Sequence, residues 1–373
     1  MYIFANLLLI LVAGLSVIKR FSPKTTFSLL LVLFAFLVIH DGLRWETGTD
    51  WNNYYRYFTG CLSGNLDSVY RFDPGYQFIN KLIRGITGEY TLFLIFHAIF
   101  VYTFLFLSIN KYSPYKFVSI FLLYSLMIPF LGMNRQYLTL VIAVFLIQYI
   151  QRQDYFKVIT IIVVCFLFHT SILLFIPALF LNRRFSTKTI LIALSLSIVI
   201  ALSGLINKIP SSVFVLLGSS VSSKAEYYMS GIAHKITANP LFTFLAIVKR
   251  IFWLIFLIKF RSKLEIENKY FNLLLNMYVV SSMIYLIFNN TIFQIIVERG
   301  LLYYNIVEIF LIPLLLSLFK KKLNRIALFG LILIYGIITQ IKGINGYVRP
   351  GYDDIFRPYK GLFINTDFHR NMH

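Results

Sequence analysis

Acidic side chains are scarce in this sequence: 15 Asp and Glu in 373 residues, against 35 Lys and Arg. Charged residues of both signs make up 13 % of the chain, hydrophobic ones 58 %, and the mean hydropathy is +0.76. So little charge excludes an ordinary soluble globular domain, about a quarter of which is charged. Cysteine is nearly absent as well. Cys61 in a polar stretch and Cys165 in an apolar one give no disulfide framework and no metal motif. No P-loop, Gly-rich dinucleotide loop, zinc-ligand spacing or GxSxG elbow occurs. The chemistry therefore draws on an activated substrate and no ATP. Period-two alternation is missing too, which excludes an outer-membrane barrel.

What is present is apolar wall. Residues 26–40, 90–109, 158–181, 270–288 and 301–319 are long and nearly free of charge. They read as transmembrane helices, because lipid admits only backbones that satisfy their own polar groups. Many of the 25 tyrosines sit near span ends, as interfacial residues do. The segment 2–18 lacks a basic leader and a small-residue cleavage site, so it reads as a retained helix. The net charge of +20 suggests nucleic acid, but the placement of the charges argues for a membrane and against a nucleic-acid partner. Six short breaks (19–24, 111–116, 152–157, 183–188, 259–269 and 320–325) hold 18 of the 35 cations and only three acids. By the positive-inside rule these face the cytoplasm and the longer breaks face out.

That rule predicts an all-α, polytopic helical bundle of about 11 apolar segments, read as a single integral-membrane unit spanning 1–373. Its first outer loop is 41–89, its second 207–240, and 342–373 is an outer tail. Stretch 158–181 conflicts with the rule if it crosses once, since 183–188 then faces out. A broken hairpin removes the conflict: 158–168 rises, the chain turns near His169-Thr170-Ser171, and 172–181 returns. Each arm is about 16–18 Å at roughly 1.5 Å per residue, enough for half a membrane. Pro177 loosens the returning arm.

The loop 41–89 holds the most informative residues: Arg44-Trp45-Glu46-Thr47-Gly48-Thr49-Asp50-Trp51, then Tyr54-Tyr55, then Asp73-Pro74-Gly75-Tyr76. Two short helices are predicted in it. Thr49 or Asp50 suits the first cap, and Asp73-Pro74 the second start. Tyr54, Tyr57 and Phe58 share one face, and Tyr76, Ile79, Ile83 and Ile86 another, so both helices are read as lying in the membrane interface. The predicted topology brings Arg44, Asp50, Asp73, Arg135, His169 and Arg299 to the outer level. Ionisable groups there are functional candidates. Five of them have a plainer reading. Asp50 and Asp73 suit helix caps, Arg135 a headgroup anchor, His169 a satisfied turn, and Arg299 a partner for Glu298 or a lipid phosphate. Lys249 and Arg250 lie within 241–260, where a ligand or snorkelling explains them equally well. His97 and Glu308 read as inter-helix hydrogen-bond partners.

Gly48-Thr49-Asp50 with Tyr54-Tyr55, then Asp73-Pro74-Gly75-Tyr76, resemble the paired motifs of the EpsG-like branch of Wzy-type polysaccharide polymerases. Arg135-Gln136, Phe168-His169-Thr170-Ser171 and Arg299 with Tyr303-Tyr304 are similar to its later landmarks, in the same order over residues 44–304. Asp73 stands where that family commonly has Glu, and Thr170 at a variable place. The resemblance implies an inner-membrane glycosyltransferase with its active site facing the periplasm. It would transfer a glycan from undecaprenyl diphosphate to a sugar hydroxyl of a fresh lipid-linked repeat unit, first of all in O-antigen synthesis. The implied partners are undecaprenyl-diphosphate-linked oligosaccharides, membrane lipid, a chain-length regulator and the repeat-unit flippase.

The residues suit that chemistry. A departing diphosphate needs cations, and arginine grips phosphate oxygens in a fork. Arg135 and Arg299 are the first choices, with Lys249 and Arg250 in reserve. The attacking hydroxyl needs a base, first Asp50 and then His169. Trp51, Tyr54 and Tyr76 offer faces and hydroxyls to sugar rings, with Arg44, Asp73, Gln136 and Tyr303 as further substrate contacts. No cofactor is called for, and no metal if arginines neutralise the diphosphate. Three other readings remain open: a capsule or exopolysaccharide polymerase, a transferase using a polyprenyl-monophosphate sugar (with Glu46 and Asp50 as its acids), and a lipid-linked sugar flippase.

Overall fold

The computed structural model describes residues 1–63, 72–208, 240–291 and 293–371. Most of the expected second outer loop, 207–240, and part of the first lie outside these. Among the described residues the chain is helical, with isolated bridges Arg44 to Gly361 and Gly361 to Ile364 and no extended strand. The helices are α1 Tyr2–Ile18, α2 Pro23–Gly42, α3 Trp51–Gly60, α4 Pro74–Ile86, α5 Tyr90–Tyr112, α6 Lys116–Met127, α7 Asn134–Gln151, α8 Tyr155–Phe166, α9 Thr187–Ser203, α10 Pro240–Lys259, α11 Arg261–Glu267, α12 Phe271–Phe288, α13 Gln294–Asn305, α14 Glu308–Leu314 and α15 Lys322–Asn345. Four of them, α2, α5, α12 and α15, are long and apolar enough to cross a bilayer. In place of the one helix expected over 301–319, Gln294–Asn305 and Glu308–Leu318 form an apolar pair bent by 44°, the geometry of a broken span or of a re-entrant loop. Shorter apolar helices, of 10–17 residues, include α1, α8 and α9.

The chain packs as two compact units. The first comprises Met1–Leu146, Phe156–Thr170 and Ile312–His373. In it α2 runs antiparallel to α5, with Gly42 against Ile95 and the Phe34 ring 5.6 Å from that of Phe106. Helix α15 runs parallel to α6, because Gly336 abuts Phe121 and Gly343 abuts Pro129. Helix α1 runs antiparallel to α15: Gly14 faces Phe329, and Asn6 donates to Gln340 at 2.8 Å. These directions bring three basic breaks, 19–24, 111–116 and 320–325, to one end, where the Phe21 and Phe117 rings meet at 5.7 Å. The opposite end carries Tyr2, the loop from Leu43 and the C-terminal tail. There the Tyr359 hydroxyl donates to the His40 carbonyl, and the Trp45 amide donates to the Lys360 carbonyl at 2.9 Å. The charge rule's grouping of N-terminus, first loop and tail at one end is therefore present in this unit.

The second unit comprises Ile147–Tyr155 and Ser171–Leu311. Helix α8 stops at Phe166, and a 3-10 helix spans Thr170–Phe180, with Pro177 inside it. Asn182, just past that 3-10 helix, donates to the carbonyls of Ile150 and Gln151 at 2.9 and 3.2 Å. Those two residues end α7, immediately before α8 begins. A stretch that crossed once would hold Gln151 and Asn182 at opposite ends; their hydrogen bond makes it a hairpin. Asn276 closes the same end by donating to the Leu181 and Arg183 carbonyls at 2.8 and 2.7 Å. Arg184 pairs with Glu265 at 2.9 Å, and Arg261 donates to the Phe185 carbonyl. Three more basic breaks thus gather at one end of this unit.

Candidate active site

The Gly48-Thr49-Asp50 turn is shaped by backbone contact with the turn before α7. Gly48 and Gly132 have φ of +100° and +102°, where side chains are strained. A Cβ on Gly48 would lie 2.3 Å from the Leu131 carbonyl oxygen, and one on Gly132 2.0 Å from that of Thr49. The Thr49 amide donates to the Leu131 carbonyl at 2.8 Å, and its hydroxyl shares that acceptor at 3.3 Å. Asp50, at φ +55°, stands at the N-cap position of α3 but makes no side-chain cap bond. The predicted capping role of Thr49 or Asp50 is therefore corrected. Thr49 is used by the clasp, and the turn leaves Asp50 exposed.

Asp73 opens α4 with Pro74 in the first turn, as predicted, yet its carboxylate does not cap the helix. It accepts from Arg135 Nη1 at 2.7 Å, with the two side chains 13 % and 23 % exposed. The Arg135 guanidinium lies 4.4 Å from the Phe72 ring centroid, and its Nε reaches the Tyr54 hydroxyl at 3.4 Å. Tyr54 stacks on Phe72 in turn, at 5.3 Å. Burial pushes the Tyr54 hydroxyl above its ordinary pKa and the Arg135 charge offsets part of that rise, so the phenol stays a proton donor. Arg135 occupies the first turn of α7, where a cation adds to the positive end of the helix dipole. The result is a concentrated positive field, partly compensated by one carboxylate.

The hairpin turn docks on the same cluster. The Gly75 amide donates to the Leu167 carbonyl at 2.7 Å, and a Cβ on Gly75 would press that oxygen and the Phe168 ring at 3.0 Å each. Phe168 packs against the core of Trp51, Tyr54, Phe58, Tyr76, Tyr90, Phe93 and Leu94. His169 is the next residue. The first unit therefore brings together four of the five sequence landmarks, those of Asp50, Asp73, Arg135 and His169.

Other expected contacts are placed differently. Arg44 is 1 % exposed; it pairs with Asp41 and donates from Nη2 to Asn134 Oδ1 at 2.8 Å, which ties α2 to α7. His97 Nε2 lies 3.0 Å from the Asn134 carbonyl, the inter-helix bond expected of it. Trp51 is 4 % exposed and Tyr76 0 %, so these rings form the floor of the cluster and have no face for a sugar. Gln136 is buried too. The helix faces expected in the membrane interface turn inward instead, because α5 supplies Tyr90 and Phe93 to pack against them. Ile86, expected to share the interface face of Tyr76, is exposed along with Phe78 and Leu82, whereas Tyr76 is buried.

In the second unit Arg299 lies within α13. Tyr303 is fully buried with its hydroxyl 2.9 Å from Ser171 Oγ, and the Tyr304 hydroxyl donates to the Leu174 carbonyl at 2.8 Å. Lys249 lies 4.0 Å from the fully buried Glu308, and the Arg250 guanidinium lies 4.0 Å from the Tyr285 ring centroid. Each cation of α10 thus has a protein group beside it, and Glu308 faces a cation on another helix at ion-pair distance rather than in the inter-helix hydrogen bond expected of it.

Sequence reasoning missed Phe72, which shelves Arg135, and Asn134, which receives Arg44. Phe72 directly precedes Asp73, so an aromatic ring beside a candidate carboxylate was the available signal. Among the described residues, no three metal-ligating side chains converge.

Apolar helices of bilayer length, with an arginine–carboxylate pair among aromatic rings at the end away from the basic breaks, define a multi-pass membrane protein with a polar site at one surface. Residues 27–360 match the EpsG family, and the chain belongs to it. Membership implies a membrane protein of the polysaccharide-polymerase type. No curated protein and no solved structure matches the chain.

Proposed function

We propose that this protein is a glycosyltransferase that joins undecaprenyl-diphosphate-linked oligosaccharide repeat units at the periplasmic face of the inner membrane, in O-antigen biosynthesis. The observation that carries the reading is the Arg135–Asp73 pair at 2.7 Å, set beside the Tyr54 hydroxyl and opposite the cationic end of its unit. Glycosyl transfer from a lipid diphosphate breaks the bond between the anomeric carbon and a phosphate oxygen, so negative charge grows on the diphosphate. Arg135, at a helix start and over the Phe72 ring, supplies fixed positive charge to that oxygen. Asp73 holds the guanidinium in register, and Tyr54 is the neutral donor beside it. The acceptor hydroxyl loses its proton as its oxygen attacks. Asp50, exposed and fixed by the Gly48–Gly132 clasp, is the base, with His169 the second choice. Arg299 is proposed as a further leaving-group cation, and Arg299→Ala is expected to remove the ladder at unchanged protein level.

Gel analysis of surface glycan tests the reading. A deletion strain carries single lipid-capped repeat units and no ladder, and the wild-type gene restores the ladder. Replacing Arg135 with Ala reproduces the deletion at unchanged protein level. Addition of one sugar only would favour the monophosphate-sugar transferase. Translocation of a lipid-linked sugar by proteoliposomes without extension would favour a flippase.

A further inference from the structure

Three half-buried rings stand in front of the buried aromatic floor: Trp45 on the first loop, Tyr55 on α3 and Phe368 on the C-terminal tail. The Trp45 ring centroid lies 5.5 Å from that of Tyr55 and 5.8 Å from that of Phe368. Behind them Trp51 stacks under Tyr55 at 4.9 Å and 19°, and touches Trp45 edge-on at 4.9 Å. Asp50, exposed, directly precedes Trp51, and the exposed amide of Asn53 follows on the same short helix.

The tail that brings Phe368 is built into the loop. Buried Arg370 donates from its guanidinium to the carbonyls of Glu46, Ile355 (3.0 Å) and Pro358 (2.5 Å), and its backbone amide donates to Glu46 Oε2 at 3.1 Å. Lys360 pairs with the same Glu46 carboxylate at 3.6 Å. Leu43 and Gly48 add backbone bonds to Leu362 and Ile355 at 3.1 and 2.9 Å. Phe368 therefore has a fixed place two residues from a buried anchor, and it lies beyond the residues that match the family.

We infer that Trp45, Tyr55 and Phe368 form a sugar-binding shelf that seats a glycan ring beside Asp50, with the C-terminal tail as one of its walls. The inference rests on the polymerase reading and replaces Trp51 and Tyr76, whose faces are covered. The chemistry of a pyranose explains the arrangement. Its C–H faces are apolar and lie on aromatic rings, while its hydroxyl rim needs acceptors and donors such as the Asp50 carboxylate and the Asn53 amide. The rival explanation is an interfacial aromatic belt, which anchors a protein at the headgroups and needs no ligand.

The test uses the full-length protein in lipid nanodiscs, with the strain's own lipid-linked repeat unit as substrate. Trp45→Leu and Phe368→Leu keep an apolar side chain and remove the flat face. Each is expected to raise KM about tenfold while kcat changes little, the loss of one ring contact. Trp45→Phe recovers part of the affinity. In parallel, the oligosaccharide released from the repeat unit is titrated against tryptophan fluorescence in an Asp50→Asn background. Quenching is expected there and is expected to be lost in the Phe368→Leu double variant, which removes no tryptophan. Should Trp45→Leu fail to fold, Phe368→Leu alone decides. Polymerisation with unchanged KM and undiminished quenching in Phe368→Leu would overturn the shelf and leave the polymerase reading standing. Wild-type protein that makes no polymer, yet shows oligosaccharide quenching that Phe368→Leu abolishes, would overturn the polymerase reading and keep the shelf.

Discussion

Arg135 and Asp73, 62 residues apart in the chain, meet in a 2.7 Å ion pair that neither helix needs for its own stability. Asp73 is placed to cap α4 and does not, and Arg135 stands at the wrong end of α7 for the helix dipole. Two local preferences are set aside to bring these charges together, as happens at sites shaped by function.

The pair sets the first prediction. Arg135→Ala should lower polymerisation about 100- to 1000-fold, the usual loss when one preorganised donor at a developing anion is removed. Arg135→Lys keeps the charge but loses the planar fork, and should recover only part of the activity. Asp73→Glu should retain activity, and Asp73→Asn should lose most of it. Ladder intensity at matched protein level is the measurement.

The clasp sets the second. Gly132→Ala forces a side chain into left-handed backbone, about 1–3 kcal/mol by itself, and drives its Cβ to 2.0 Å from the Thr49 oxygen. Gly48→Ala meets the same double penalty at 2.3 Å. Both should lower the yield of folded protein and abolish ladders, whereas Gly85→Ala, with no heavy atom within 4 Å, should behave as wild type. Thermal unfolding in detergent separates the three.

The hairpin sets the third. On a background with Cys61 and Cys165 replaced, single cysteines at Asn53 and Asn365 should react with a membrane-impermeant maleimide in spheroplasts. Cysteines at Lys188 and Lys263 should react only after permeabilisation. Labelling of Lys188→Cys from outside would return residues 158–181 to a single crossing.

The Lys249–Glu308 contact sets the fourth. Lys249→Met removes the cation 4.0 Å from the fully buried carboxylate of Glu308 and should lower stability. The double variant Lys249→Met/Glu308→Leu should be more stable than the Lys249→Met single. Midpoints of thermal unfolding give the comparison.

Much of this was readable from the residues. The spans at 90–109 and 270–288 appear within a few residues of the helices Tyr90–Tyr112 and Phe271–Phe288, because long apolar runs admit no alternative in lipid. The hairpin break was readable because single-sign basic breaks constrain which ends share a side. The bend at Asn305–Glu308 was not, since Glu308 read as a lone polar residue in a span rather than the start of a second helix. The burial of Arg44 and of the Trp51 and Tyr76 rings was also hidden. It depends on α5 and α7 supplying the opposing surfaces, and a loop sequence does not record what packs on it. The anchoring of Arg370 on Glu46 spans 324 residues and left no local signal.

The most direct measurement is the chain-length distribution made by purified Arg135→Ala protein, reconstituted with lipid-diphosphate-linked repeat units and compared with wild type at equal amounts. The proposed chemistry predicts that wild type builds a regular ladder and that the folded variant leaves the units unjoined. A ladder of normal length and rate from the folded variant would contradict it.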